Sequence, residues 1–237
     1  EEAMEPSAPA QVLHSGILES LGQEIIDGQL APGSALTLAQ IEERFDISRT
    51  VAREVMRSLE ACGLTESRRR VGIVVRPAEH WNVLDPLVVA WRLNGPGRSE
   101  QLRALTQLRA GVEPLAAAGA AHHASDAQRA RLLELAQVLA QFQDVPAGTQ
   151  FHDADTEFHT LLLAASGNDL FAALAKILAA TLTARVSHGQ FPATPRKAAL
   201  DSHPAVAQAI VAGDADTAFA VMVAMLTELR ADLFPSS

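Results

Sequence analysis

Asp155 and His159 stand four residues apart in a segment of helical period, so both side chains project from one face. His152 falls in the same arc, and Phe151, Phe158 and Leu162 beside it turn that arc inward. A carboxylate and an imidazole at this spacing can chelate a divalent metal, zinc first among the candidates. The same pair can equally be a hydrogen-bonded His–Asp contact inside a core. His203 shares a face with Val206 and Ile210 where another helix begins, and is a candidate third ligand. Two arginines lie on apolar stripes nearby. Arg109 sits among Leu102, Leu105, Val112 and Ala116, and Arg185 continues the stripe of Leu174, Leu178 and Thr181. A buried guanidinium is costly unless paired, so each one either reaches the solvent edge or meets an anion inside. Two such cases in one bundle point to an anionic ligand.

A second set of residues points to a different chemistry. Ser48 is a good N-cap, and Val51, Val55 and Leu59 follow at four-residue spacing as a buried stripe. Arg49, Arg53 and Arg57 repeat every four residues on another face, with Thr50 at the same helix start. A shorter helix precedes them, with Leu38, Ile41 and Phe45 as its apolar side and Asp46 marking the turn. This is helix-turn-helix order, in which the second helix enters the major groove of DNA and its first residues read base edges. Leu64–Ser67 and Ile73–Val75 then read as two short strands around Arg68, Arg69, Arg70, Val71 and Gly72. A cationic hairpin tip of this kind suits phosphate contact as a wing.

Charge is distributed to match. The chain of 237 residues carries a net charge of −9, which opposes non-specific binding to nucleic acid as a whole. Residues 47–76 hold seven arginines against three glutamates, while residues 1–46 hold one arginine against nine acids. Positive charge is thus gathered on the reading head, and an architectural DNA-packing role is disfavoured.

The elements that must position these groups follow from periodicity and punctuation. Hydrophobic content of 48% with aromatics at only 4% describes an Ala/Leu/Val core suited to closely packed helices. The reading is mostly α: a winged helix-turn-helix over 10–76, a linker and docking segment over 77–98, and an antiparallel all-α bundle over 99–234. Pro86 opens a short helix through Arg92. Bundle helices are expected at about 99–121, 126–143, 149–166, 168–187, 197–212 and 215–233, separated at Ser125, Ser166–Asn168 and Gly213–Asp214. His122, His123 and His188 close helices, and His14 and His80 read as surface residues. Cys62 is the single cysteine, so no intrachain disulfide forms and a reducing compartment is expected. No apolar run reaches the length of a membrane span, and no signal-peptide pattern is present, so a cytoplasmic location is expected.

The stretch Ile25 to Leu36, then Phe45 to Thr50, then Arg53-Glu54-Val55, resembles the DNA-binding domain of the GntR family of bacterial transcription regulators over roughly residues 12–76. The resemblance implies base and phosphate contacts by Arg49 and Arg53, and identifies Gly72 with the wing glycine. Many members carry a DNA-touching arginine where this chain has Ala39. The second half is similar to the FCD ligand-binding domain of the FadR-type branch, through Leu108-Arg109 to Glu113-Pro114, Asp155 to His159, Ala165 to Asn168, and His203 to Asp214. In that branch one Asp and three His bind a divalent metal beside a carboxylate effector. Asp155, His159 and His203 match three of these positions, and Met225 occupies the fourth. A thioether is a poor ligand for zinc, so the metal is either held by three protein ligands or lost, with Arg109 and Arg185 binding the anion alone.

The resemblance therefore implies a homodimeric, effector-responsive regulator, in the repressor sense, acting on a palindromic operator with GT and AC half-sites. The segment Trp81 to Pro86 is similar to that of FadR-type regulators of sugar-acid operons, galactonate repressors included, which makes a sugar acid the expected effector. The rival reading is a metal-dependent hydrolase with an accessory DNA-binding head, its open metal position activating water. No Ser or Cys with an adjacent base, and no Glu spaced as a general base, supports that rival.

Overall fold

The computed structural model describes residues 8–142, 146–187 and 197–234; the side chains of residues 8–13, 184–187, 197–199 and 232 lie outside that description. Two compact units divide the chain, Glu1–Arg98 and Ser99–Ser237.

In the first unit, α1 (Ala8–Ile26) buries Ile17, Leu18, Leu21 and Ile25. It is followed by β1 (Ala35–Leu36), α2 (Leu38–Phe45) and α3 (Arg49–Ala61). Thr37 starts α2 with a reciprocal capping box: its hydroxyl accepts from the Gln40 N–H, and the Gln40 side chain accepts from the Thr37 N–H. Asp46 ends α2 in the left-handed region at φ 50°, so the turn falls where the sequence marks it. Ser48 caps α3 by accepting from the Val51 N–H at 3.4 Å, leaving Ala52, Val55 and Leu59 buried and Val51 half-buried. The sheet has the order β1-β3-β2, antiparallel throughout, with β2 at Thr65–Arg68 and β3 at Gly72–Val75. The sequence predicts two strands, whereas three pair. The added β1 is two residues long, too short to show alternation, and sets Ala35 opposite Val74.

After a single 3-10 turn at Ala78–His80, α4 (Pro86–Asn94) packs on α1. Trp91 is fully buried there and donates from Nε1 to Glu19 Oε2 at 2.7 Å. A Cβ on Gly22 would fall 2.5 Å from the Trp91 ring, so the indole needs the bare backbone of α1. The segment after the wing is therefore part of the core of this unit rather than a free tether.

The second unit is built from α5 (Arg98–His123, beginning at the boundary), α6 (Asp126–Ala140), α7 (Thr149–Ala165), α8 (Asp169–Ala173), α9 (Ala175–Ser187), α10 (Lys197–Ala212) and α11 (Ala215–Leu233). The expected single helix over 168–187 is two. Leu174 caps α8 between them, in a stretch with no glycine or proline to announce a break. The main core joins Leu132, Leu135 and Leu139 of α6, Phe158 and Leu162 of α7, Val206 and Ile210 of α10, and Met222 and Leu226 of α11. A smaller cluster sets Ala116 and Leu163 against Leu178 and Leu182. Gly119 of α5 meets the Ser166 carbonyl so closely that a side chain there would collide with backbone, which fixes how near α5 and α7 approach. Arg129 seals the helix ends: it donates to the carbonyls of Ala121, Ala124, Ile210 and Val211, where a cation suits the negative pole of a helix. No described helix is long and apolar enough to cross a membrane.

Candidate DNA-reading face and candidate metal–anion centre

In the N-terminal unit, the cap at Ser48 fixes the direction of α3, and the buried positions fix its rotation. With Ala52, Val55 and Leu59 inward, Arg49, Thr50, Arg53 and Arg57 are exposed. Arg57 pairs with Glu54 at 2.6 Å, whereas Arg49 and Arg53 form no ion pair among the described residues. In the wing, Arg68 lies in β2 opposite Gly72 rather than in the turn, and pairs with Glu66 at 2.6 Å. Arg69 and Arg70 form the exposed tip, Arg70 in the left-handed region at φ 67°. Gly72 has φ 111°, and a Cβ there would collide with the Leu36 carbonyl. Its place is thus set by backbone geometry and the β1 approach, which a wing contact does not by itself require. His80 is exposed, but His14 is half-buried, with Nε2 3.3 Å from Ser58 Oγ, and so ties α1 to α3 rather than lying free on the surface.

In the second unit, Asp155 and His159 on α7 and His203 on α10 come together, all buried, with donor atoms within 4.8 Å of one another. His152 does not join this group. His203 Nε2 lies 3.3 Å from Asp155 Oδ1, and His159 Nε2 lies 3.6 Å from the same oxygen. Good N–H···O hydrogen bonds span about 2.7–3.2 Å, so these separations are long for a plain His–Asp contact. Two ligand atoms each about 2.1 Å from a tetrahedral ion sit roughly 3.4 Å apart. The donor set, and the two separations to Asp155, therefore suit a zinc-like ion. Phe158 packs edge-on against both imidazoles, with ring centroids 5.6 Å from His159 and 5.0 Å from His203.

The sequence offers two fates for Arg109, the solvent edge or an internal anion from outside. The structure gives a third. Arg109 is buried on α5 and its Nε donates to Glu113 Oε1 at 2.5 Å, one turn along the same helix. In the sequence Glu113 enters only through the family pattern; its i,i+4 spacing from Arg109 on a buried stripe is the signal that could have found it. Its other oxygen lies 2.7 Å from His159 Nδ1, close but out of line with the ring N–H, so this is a charge contact rather than a well-formed hydrogen bond. Pro114 and Pro204 follow Glu113 and His203 inside α5 and α10, each removing a backbone donor beside a site residue.

Electrostatics follow from this arrangement. Burial alone would raise the Glu113 pKa, but Arg109 and His159 overcome it and hold the carboxyl down at about 2. Burial likewise opposes ionisation of Asp155, and the two histidines outweigh it, keeping the carboxyl well below its usual range. A cavity of about 20 Å³ borders Arg109 and Glu113, with Leu105, Leu163, Leu178 and Thr181 among its walls. Among the described residues that is room for about one water. Arg185 belongs to α9, but its side chain lies outside the described residues, as does His188 altogether. Met225 is buried in the core on α11.

Residues 13–75 match the family described as bacterial regulatory proteins, gntR family, and residues 104–228 match the FCD domain. The chain belongs to the GntR family of bacterial regulatory proteins. It is 32% identical over 215 residues to the galactonate operon transcriptional repressor of Escherichia coli, covering 89% of this chain and 92% of that one. It is 26% identical to the HTH-type transcriptional regulator LutR of Bacillus subtilis, covering 87% and 94%. Among solved structures it is similar to Lar, described as controlling expression of the Listeria monocytogenes agr system, with 18% identity and a TM-score of 0.54 over 99% of this chain and 100% of that one. E. coli McbR/YncC aligns with 17% identity and a TM-score of 0.53 over 94% and 97%. These relatives support a winged helix-turn-helix joined to a helical domain. They are transcription regulators, not enzymes, and give the hydrolase rival no support.

Proposed function

We propose that this regulator is a homodimeric repressor that binds a palindromic operator and is released by a small carboxylate. The observation that carries the DNA-binding half is the exposed row of Arg49, Arg53 and Arg57 on a capped helix whose opposite face is buried. Arg49 and Arg53 contact bases and phosphates near the helix start, with Ser48 and Thr50 beside them, while Arg69 and Arg70 lay the wing on the backbone. Two copies supply the two-fold symmetry that a palindrome requires, with GT and AC half-sites as in the family pattern. The cytoplasm is the compartment in which such a regulator meets its operator.

The effector half rests on the buried centre of Asp155, His159, His203, Arg109 and Glu113. Asp155, His159 and His203 would hold a zinc-like ion, which would supply a Lewis-acidic anchor for a carboxylate oxygen. Arg109 presents its outer N–H groups to the same carboxylate, and Arg185 is a candidate second cation. The galactonate repressor among the relatives favours a sugar acid. The adjoining cavity, about 20 Å³ among the described residues, lies between α5, α7 and α9, and a ligand that shifts these helices would thereby alter the reading heads.

The deciding experiment is selection of operator sequences by the purified protein, followed by titration with D-galactonate, D-gluconate and lactate. A selected palindrome and its release by one of these acids are expected. Selection of no common sequence would overturn the repressor reading, and indifference to every carboxylate would overturn the effector class.

A further inference from the structure

The described arginines of the second unit divide by what meets them. Arg109 pairs with Glu113, Arg131 pairs with Glu134 and Glu157, and Arg129 donates to backbone carbonyls at helix ends. Arg103 and Arg230 have neither an acid nor a hydrogen-bond partner among the described residues. Yet both line one cavity of about 230 Å³, together with Gln107 and Phe234. Arg103 and Gln107 stand one turn apart on α5, and Arg230 and Phe234 one turn apart at the end of α11, so each helix brings one guanidinium to the cavity.

Arg103 is held there by a ring instead of an acid. Its Cζ lies 4.4 Å from the Phe234 centroid. Such a contact engages the flat face of the guanidinium and leaves the N–H donors at its edge open. Arg230 belongs to the last turn of α11, where a cation suits the negative helix pole. Arg103, in the second turn of α5, has no such reason to be there. No described acid lines the cavity, so its two cations repel each other until an anion enters.

Size and charge select that anion. The volume is below the roughly 300–1,000 Å³ of pockets for drug-sized ligands, so the occupant is small. One arginine fork fills both oxygens of a single carboxylate, which leaves the second fork unused. A phosphate monoester carries a charge of about −1.5 to −2 and three terminal oxygens, enough for forks arriving from two helices. The Gln107 carboxamide can serve a hydroxyl of the ester group, and the Phe234 ring supplies an apolar wall for its carbons.

We propose that Arg103, Gln107, Arg230 and Phe234 form a second ligand site in the helical domain, which takes a small phosphate monoester. None of these residues belongs to the buried Asp155–His159–His203 centre, and the site needs neither a metal nor the carboxylate reading of that centre. An occupant bridging Arg103 and Arg230 would tie the start of α5 to the end of α11.

The test is calorimetric titration of the full chain with glycerol 3-phosphate, inorganic phosphate, succinate and acetate at matched ionic strength. The pH is 8, above the second phosphate pKa of about 6. The uncharged chelator 1,10-phenanthroline is present throughout, so that no metal at the buried centre supplies an anion site. Wild type is expected to bind both phosphates saturably and to ignore acetate. Arg103→Gln and Arg230→Gln should each weaken that binding by about tenfold or more. Phe234→Leu should weaken it by about two- to fivefold, since the ring only holds Arg103 in place. Both arginines are exposed, so their variants should keep the wild-type Tm without ligand. Failure of wild type to bind either phosphate would overturn the proposal, as would full affinity in the double variant. Succinate bound as tightly as glycerol 3-phosphate would overturn the phosphate class. If neither phosphate binds but the double variant loses affinity for operator DNA, the two arginines serve the DNA backbone and the small-ligand site falls.

Discussion

Arg109 and Glu113 form an ion pair within a single buried turn of α5, Nε to Oε1 at 2.5 Å, with the two side chains 7% and 1% exposed. Removing one partner leaves an uncompensated charge inside the bundle, which costs about 3–5 kcal/mol, whereas removing both can be nearly neutral. Arg109→Leu and Glu113→Leu alone should therefore each be strongly destabilising. The double variant should recover most of that loss in urea unfolding of the full chain. Additive losses would show that the pair is not coupled as its geometry requires.

This pair also marks where sequence reading stops. The α3 face is legible because a cap, a buried stripe and an arginine row each have their own period, and all three agree at Ser48, Val55 and Arg53. The Asp155–His159 spacing is equally local. The i,i+4 spacing of Glu113 from Arg109 on a buried stripe is a local signal for their pairing, but only tertiary packing sets its other oxygen against His159. The break at Leu174 and the two-residue β1 escape for a related reason. The break at Leu174 has no turn residue, and β1, though Pro32-Gly33 turn the chain before it, is too short for an alternation of its own.

Arg49 and Arg53 are expected to carry sequence recognition. Arg49→Ala or Arg53→Ala should each weaken operator binding by about 1–3 kcal/mol while leaving oligomeric state and effector binding unchanged. Gel shift at moderate salt on a selected operator measures this. Wild-type affinity in both variants would displace recognition from α3.

The wing should divide its three arginines unequally. Arg68 is engaged by Glu66 at 2.6 Å, whereas Arg69 and Arg70 are exposed at the tip. Replacing Arg69 and Arg70 with Ala should weaken binding to all DNA sequences alike and reduce the slope of log K against log salt by roughly two. Arg68→Ala should change that slope by less. An altered base preference with an unchanged slope would make the tip a base reader.

Cys62 should be inert in the folded protein. Burial first, and the nearby Asp85 charge second, push its thiol from 9.0 up to about 12. At pH 8 the native thiol is therefore protonated and slow towards iodoacetamide, since only the thiolate attacks. The sign of the linkage is fixed by the same shift. Stability from this group is intact below pH 9.0, where the unfolded thiol begins to ionise, and falls as pH rises towards 12. Rapid alkylation without unfolding would show that the site opens to solvent.

Met225 provides the sharpest test of the metal centre. The resemblance in sequence matches it to a position where a histidine is expected, and it is buried in the same core as Met222 and Leu226. Asp155, His159 and His203 bring a carboxylate oxygen and two ring nitrogens within 4.8 Å of one another, so three protein ligands should retain about one zinc per chain. Replacing the weak thioether by imidazole in Met225→His should tighten zinc binding by at least on the order of tenfold, read by chelator competition. The variant trades an apolar core side chain for a polar one, so without metal it should be less stable than wild type. Zinc should restore that stability only if the introduced imidazole completes the same coordination sphere. A variant destabilised with and without zinc alike, and with unchanged zinc affinity, would place Met225 in the core and outside the metal's reach.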